Sequence, residues 1–279
     1  MRDPSAELQT MIEAALASGA ALMRRFAALS EVEFALKGPA DFVSAADLES
    51  QRTIEAVLSG AYPRHGFLSE ENAPRLGDGA ARFIVDPLDG TTNFLHGLPH
   101  FAIAIALESA GEVVAAVVHD PAKGELFVAE LGRGAWLDGR RLRVSEDSDL
   151  SSALVATGIP HSNGLPRHER YLEMLAAAMR EAAGIRRYAA AALDLAYVAA
   201  GRFAAFFELG LAPWDLAAGA LLVREAGGRV SEPDGGHRFV TSGNVLATNG
   251  RLHPRMVAML VHATRHGASI RRRRRMRWQ

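Results

Sequence analysis

The stretch IVDPLDGTTNF, Ile84 to Phe94, ends an apolar run with two carboxylates, a glycine turn and two threonines. Arg82 to Val85 reads as a short buried strand, and Pro87 and Gly90 are expected to stop it. Asp86 and Asp89 are then presented just beyond the strand end, where they can hold a hard metal ion. Thr91, Thr92 and Asn93 follow as hydrogen-bond donors. Hard oxygen ligands beside a turn rich in backbone N–H groups suit Mg²⁺ plus phosphate.

A lone Asp-Gly pair would indicate only a tight bend. Two further acidic clusters give it more meaning. Glu70 and Glu71 close the run GFLSEEN, where Phe67 and Leu68 resemble a short strand delivering carboxylates to its end. In APWDLAAGALLVREAGG, Pro213 is placed to start a helix, and Asp215 falls in its first turn, a favourable position for a group that faces cations or helix N–H donors.

Composition narrows the chemistry. The 279 residues can bury one large core or two closely packed ones, and 49% apolar with 23% charged residues is the balance of a globular protein. With no cysteine, disulfides and thiolate metal sites are excluded, so a metal would be held by oxygen or imidazole. No charge-free apolar run is long enough to span a bilayer, and Glu7, Gln9 and Glu13 interrupt the first apolar stretch as a leader would not allow, so the cytoplasm is expected. The net charge of −1 conceals an asymmetry, because Arg271 to Arg275 and Arg277 place six positive charges at the C-terminal end of an otherwise acidic chain. An acidic body attracts a phosphate ester only where bound cations invert the local field.

Working outward, apolar spacing predicts an amphipathic helix over Ala6 to Leu29, a strand over Glu31 to Leu36, and a helix over Ala45 to Ser59 capped by Ser44 with Asp47 in its first turn. Phe101 to Leu137 reads as an antiparallel meander punctuated by Gly and Pro. After a polar linker at Ser145 to Ser152, strands are expected at Ala153 to Thr157 and Phe203 to Phe207, with helices over His168 to Glu181, Ala191 to Ala200 and Pro213 to Ala226. The expected division is an α+β half over 1–148, an α/β half over 149–268 and a disordered basic tail over 269–279.

Taken in order, KGPADFVSAAD (Lys37 to Asp47), GFLSEEN, DPLDGTTNF and WDLAAGALLVREAGG make the chain similar to the inositol monophosphatase family of Mg²⁺-dependent, lithium-sensitive phosphatases. The resemblance covers nearly all of the chain except its last residues. It implies a layered αβαβα sandwich and a homodimer. It implies that Glu70, Asp86, Asp89, Asp215 and the backbone carbonyl of Leu88 hold Mg²⁺. Glu70, Thr91 and Asp47 become the catalytic group, with Thr91 orienting the attacking water and Asp47 accepting the threonine hydroxyl. Asp89, Gly90, Thr91, Ala191, Glu208 and Asp215 become the substrate contacts, the N–H groups of Gly90 and Thr91 receiving phosphate oxygens and Glu208 accepting polyol hydroxyls. Lys37 adds a nearby positive charge.

The expected reaction is Mg²⁺-dependent hydrolysis of myo-inositol 1-phosphate or a related polyol phosphate. Histidinol phosphate, fructose 1,6-bisphosphate and 3′-phosphoadenosine 5′-phosphate are alternatives within the superfamily. The chain departs from the family pattern at Ala189 and Ala190, where many relatives carry Gly-Ser or Gly-Thr, and at Ala204, where many carry an acid, departures that bear on substrate choice. No basic cluster for a second phosphate is evident near the motifs, which favours a monoester. A rival reading is an RNA- or transcription-associated binding protein that uses the Arg271 to Arg275 tail as a charged anchor. His262 and His266, one helical turn apart, lack a third ligand, and Trp136 and Trp214 read as core or pocket wall.

Overall fold

The computed structural model describes residues 3–29, 34–38, 41–79, 81–160 and 165–275. Glu31 and Arg277 lie outside the described residues, as do the side chains of Lys37, His266 and Arg271 to Arg275. In chain order the elements are α1 (Ala6–Ala27), β1 (Phe34–Gly38), β2 (Asp41–Ser44), α2 (Ala45–Ala61), β3 (Gly66–Ser69), β4 (Ala81–Asp89), α3 (Thr91–Leu95), β5 (Ala102–Ser109), β6 (Glu112–Asp120), β7 (Glu125–Glu130), β8 (Gly134–Leu137) and β9 (Arg140–Arg141). They are followed by β10 (Leu154–Thr157), α4 (Leu165–Glu181), β11 (Gly184–Arg186), α5 (Ala191–Ala199), β12 (Ala205–Leu209), α6 (Pro213–Glu225), β13 (Arg229–Ser231), α7 (Phe239–Ser242), β14 (Asn244–Thr248) and α8 (His253–Arg275).

Two sheets and three helix pairs stack as αβαβα. The first sheet runs β3-β4-β5-β6-β7-β8-β9, antiparallel except for the parallel β3–β4 pair. The second runs β11-β10-β12-β14-β13. Alternation along β5 sets the layer spacing. Ile103, Ile105 and Leu107 face α1 and α2, while Ala102, Ala104 and Ala106 face α5 and α6. The small alanines let the middle helices approach closely. Those helices are largely apolar around their circumference, and every residue of α5 is buried, as expected for a helix between two sheets. Pair α4 and α8 closes the far face of the second sheet over Val155, Phe207 and Leu246. The middle core draws on both halves of the chain, from Ile84 and Ala104 to Phe206 and Val245.

Three sequence expectations change. β4 does not stop at Val85; it continues through Pro87 to Asp89 with a register shift between Asp86, opposite Ala104, and Asp89, opposite Ala102. Proline lacks the N–H that a regular ladder needs, and a bulge is where a strand tolerates it. The short strands β11, β13 and β14 carry too little periodicity to be seen in the sequence. The helix α8 continues through Arg275, where disorder was expected from 269, because arginine is a good helix former and the helix is already established on the second sheet. The linker is tied down, with the Asn249 amide donating to Ser145 Oγ at 3.1 Å and the Asp147 carbonyl at 2.8 Å.

The middle layer is packed to its limit. A Cβ at Gly219 of α6 would lie 2.5 Å from Leu195 Cβ of α5, which is fixed to the backbone and cannot swing away. Gly219→Ala is expected to lower stability by about 1–2 kcal/mol, overpacking outweighing the gain in helix propensity. Denaturant unfolding checks this; equal or greater stability would show that α5 and α6 have slack between them.

Candidate active site

The β4 bulge builds the site. In an unbroken strand, Asp86 and Asp89 would point to opposite faces of the sheet. The extra residue turns Leu88 into the α1/α2 core and brings Asp89 round to the side of Ile84 and Asp86, facing the N-termini of α5 and α6. There Asp89 Oδ1 accepts from the Ala191 N–H at 3.2 Å and Oδ2 from the Ala192 N–H at 2.8 Å, capping α5, whose own N-cap, Ala190, has no side-chain acceptor. Asp215 sits in the first turn of α6, where its Oδ2 accepts from the Ala212 N–H at 2.7 Å. The Leu88 N–H donates to Asp86 Oδ1 at 3.0 Å. Glu70 follows β3, its N–H donating to the Val85 carbonyl of β4.

Asp47 serves two structures at once. Its Oδ2 accepts from the N–H and Oγ of Ser44 at 2.8 and 2.6 Å, completing a capping box on α2, and its Oδ1 accepts from Thr91 Oγ1 at 3.0 Å. The same hydroxyl lies 3.0 Å from the Leu88 carbonyl, so the single proton of Thr91 has two acceptors. Gly90, at φ +88°, initiates α3, and a Cβ there would lie 3.1 Å from the His100 carbonyl. Only glycine gives this turn without strain.

Glu70, Asp86, Asp89, Thr91, Glu208 and Asp215 line one open cavity of about 440 Å³, within the range of small-molecule sites. Burial, and then repulsion from Glu70, Asp89 and Asp215, holds the Asp86 carboxyl well above the usual range. Burial and Asp89 raise Asp215, and burial raises Asp89 against the helix donors. Burial, Asp215 and Asp89 push Glu208 to about 8. A set of hard oxygen donors that repel one another is suited to a hard divalent ion. Among the described residues no three His, Cys, Asp or Glu side chains close on a single point as a finished cage.

Every expected site residue except Lys37, whose side chain is not described, and Asp47, which acts through Thr91, therefore lines the cavity. The N–H of Ala191 is engaged by Asp89. Sequence reading missed several residues. Gly158, after β10, is needed because a Cβ there would fall within 2.1 Å of the Glu208 carboxylate. Asn93 donates to the His100 and Tyr188 carbonyls at 2.9 and 2.7 Å, joining α3 to the segment before α5. Asp194 is fully buried, neither carboxyl oxygen has a hydrogen-bond partner among the described residues, and burial holds it well above the usual range. Arg187 and His168 also line the cavity, against the expectation that basic groups were lacking here. Asn93 is visible as a donor within DPLDGTTNF, though its partners are not; the others carry no local sequence signal, and only the fold brings them in. Ala189 has φ +60°, a left-handed backbone that costs alanine about 1 kcal/mol and that the glycine expected from the family pattern would adopt freely.

A family model for the inositol monophosphatase family matches residues 3–265. The chain belongs to the inositol monophosphatase family. An inositol-1-monophosphatase of Rhizobium meliloti is 52% identical over 246 residues, covering 88% of this chain and 92% of that protein. A Nus factor SuhB of Pseudomonas aeruginosa is 46% identical, covering 87% and 91%. Among solved structures, the extragenic suppressor protein suhB of Bartonella henselae superposes with a TM-score of 0.89 at 48% identity over 92% of this chain and 98% of that one. The inositol monophosphatase of Anabaena gives 0.80 at 33% identity over 91% and 95%. The chain is thus a phosphoric monoester hydrolase of the αβαβα type, in a family of metal-dependent phosphatases. No helix among the described residues is long and apolar enough to cross a membrane.

The carboxylate cluster implies a pH dependence for the metal-free protein. A carboxyl held above its unfolded value binds more protons folded than unfolded, so stability falls as pH rises towards its folded value. The buried imidazoles of His100 and His253, both lowered to about 4 by burial, and of His119, also lowered, act in the opposite sense, an effect that fades as pH rises past the unfolded value of about 6.5. Between pH 6.5 and 8 the carboxylates outweigh them. In a chelator the Tm is expected to be about 5 °C lower at pH 8.0 than at 6.5, Glu208 alone contributing about 1–2 kcal/mol, and excess Mg²⁺ should remove the difference. A Tm independent of pH in chelator would mean that these carboxyls do not repel in the folded state.

Proposed function

We propose that this chain hydrolyses myo-inositol 1-phosphate or a closely related polyol phosphate, with Mg²⁺ as its metal. The observation that carries the reading is the shared cavity of four mutually repelling carboxylates, the Gly90–Thr91 turn and Glu208. The name of the Rhizobium meliloti relative, an inositol-1-monophosphatase, supports it. Glu70, Asp86, Asp89, Asp215 and the Leu88 carbonyl are the residues that would hold Mg²⁺. When bound, the ions would acidify water and offset the charge of the phosphate and the departing oxygen.

The protein's own part is orientation and proton handling. Thr91, with its proton given to Asp47, offers a lone pair to the attacking water, and Glu70 is the nearby carboxylate able to take the water's proton. The N–H groups of Gly90 and Thr91 face the phosphate oxygens. Glu208 accepts hydroxyl protons of the polyol, and Gly158 leaves it the space to do so. We further expect a cytoplasmic homodimer, and occupation of one Mg²⁺ position by Li⁺, which would slow turnover.

A second reading draws on relatives called Nus factor SuhB, 46% identical in Pseudomonas aeruginosa and 43% in Escherichia coli, and on the arginines at the end of α8. In it the chain also associates with nucleic acid through charge. Deleting 271–279 separates the two, since turnover should survive and any salt-sensitive nucleic-acid affinity should not.

Steady-state phosphate release from myo-inositol 1-phosphate tests the main reading. Release should require Mg²⁺ and be inhibited by millimolar Li⁺. It should fall by about 10²-fold or more in kcat for Thr91→Ala and further for Asp89→Asn. An active Asp89→Asn enzyme would overturn the mechanism.

A further inference from the structure

The β4 bulge leaves a backbone carbonyl that its sheet neighbour does not serve. Asp86 pairs with Ala104 and Asp89 with Ala102, so Pro87 and Leu88 between them have no partner in β5, although both are buried. A buried carbonyl needs a donor from elsewhere. Ser50 of α2 supplies it, its Oγ donating to the Pro87 carbonyl at 2.5 Å. A serine has one hydroxyl proton, so in the 2.6 Å contact between Ser50 Oγ and Ser18 Oγ of α1 the donor is Ser18. Both serines are fully buried, in a helix pair that otherwise packs through apolar side chains such as Leu22, Ile54 and Leu58. A serine inside a helix commonly returns its proton to its own helix, to the carbonyl four residues back. Ser50 gives its proton across to the bulge instead.

The other end of the same peptide group faces the carboxylates. The unit that carries the Pro87 carbonyl also carries the Leu88 N–H, and this N–H donates to Asp86 Oδ1 at 3.0 Å. The peptide is planar and trans, with C=O and N–H pointing in opposite directions, so fixing one end fixes the other. Ser18, Ser50, the Pro87–Leu88 peptide and Asp86 therefore form one directed chain of hydrogen bonds from the α1–α2 interface into the cavity, each donor polarised by the bond behind it. The same helix holds the other side of the bulge. Asp47, one turn before Ser50 on the same face of α2, accepts from Thr91 Oγ1, which also lies 3.0 Å from the Leu88 carbonyl.

We propose that Ser50, supported by Ser18, is a positioning residue for the metal site: it fixes the rotation of the Pro87–Leu88 peptide and, through the Leu88 N–H, the orientation of the Asp86 carboxylate. This rests on the Mg²⁺ reading above and extends it to what holds the ligands in place. Without the Ser50 hydroxyl, the Pro87 carbonyl has no donor in the apolar core and gains by turning towards the open cavity, a rotation that carries the Leu88 N–H away from Asp86.

The test is calorimetric titration with Mg²⁺, in the absence of substrate, of the full-length wild-type protein and of Ser50→Ala, Ser50→Cys and Ser18→Ala, with the Tm of each metal-free protein recorded alongside. Each alanine removes one hydroxyl from the same interface, so both should lower the Tm, but only the Ser50 variants should weaken Mg²⁺ binding, by about tenfold. Ser50→Cys, close in size but a weak donor, serves if the alanine variant does not fold. Ser18→Ala leaves the bond to Pro87 in place and should stay within threefold of wild type. An affinity within threefold of wild type in a folded Ser50 variant would overturn the proposal. So would an equal loss in Ser18→Ala, which would mean that the interface acts through packing alone. No Mg²⁺ binding by the wild-type protein would instead remove the metal reading, and this inference with it.

Discussion

One extra residue in β4 determines where the chemistry can occur. Without the bulge at Pro87 and Leu88, Asp86 and Asp89 would lie on opposite faces of the first sheet, one of them buried among α1, α2 and the large apolar side chains of β5. With it, Leu88 fills that core and both carboxylates reach the layer where α5 and α6 begin. The same displacement lets Asp89 cap α5, lets Thr91 reach Asp47, and leaves Gly90 in a conformation that only glycine adopts freely. The bulge therefore couples both sheets and the middle helices to a single cluster of oxygen atoms.

The cluster is an arrangement the protein cannot satisfy by itself. Carboxylates in low-dielectric surroundings cost free energy when ionised and also repel one another. Helix N–H donors relieve part of this for Asp89 and Asp215, and the Leu88 N–H does so for Asp86. The remainder appears as raised proton affinity across the set. A folded protein tolerates such stored repulsion at a functional site because a bound cation turns the same charges into favourable contacts.

The chain's local chemistry was open to sequence reading, and its long-range juxtapositions were not. Helices α1, α2, α5 and α6 announced themselves through apolar spacing, Ser44 and Pro213, and the DPLDGTT, GFLSEEN and WDLAAG runs located the carboxylates. The bulge was hidden because Pro87 reads equally well as the end of a strand. Strands β11, β13 and β14 are too short for a periodic signal and exist through their neighbours in the sheet. Gly158, Arg187 and His168 gain their meaning only when β10, α4 and the segment after β11 are brought to one cavity, so no local pattern marks them. Ala189 shows the converse: its departure from the family was visible in the sequence, but the positive φ that makes it costly needed the backbone.

The central claim is that burial and mutual repulsion raise the proton affinity of the clustered carboxyls, so that binding of a divalent cation would displace protons. Calorimetric titration of the metal-free protein with Mg²⁺ at pH 7, in two buffers of different ionisation enthalpy, counts those protons directly. The account predicts saturable binding with net proton release that diminishes as the pH is raised towards 9. Binding whose heat is the same in both buffers, or no binding at all, would contradict it.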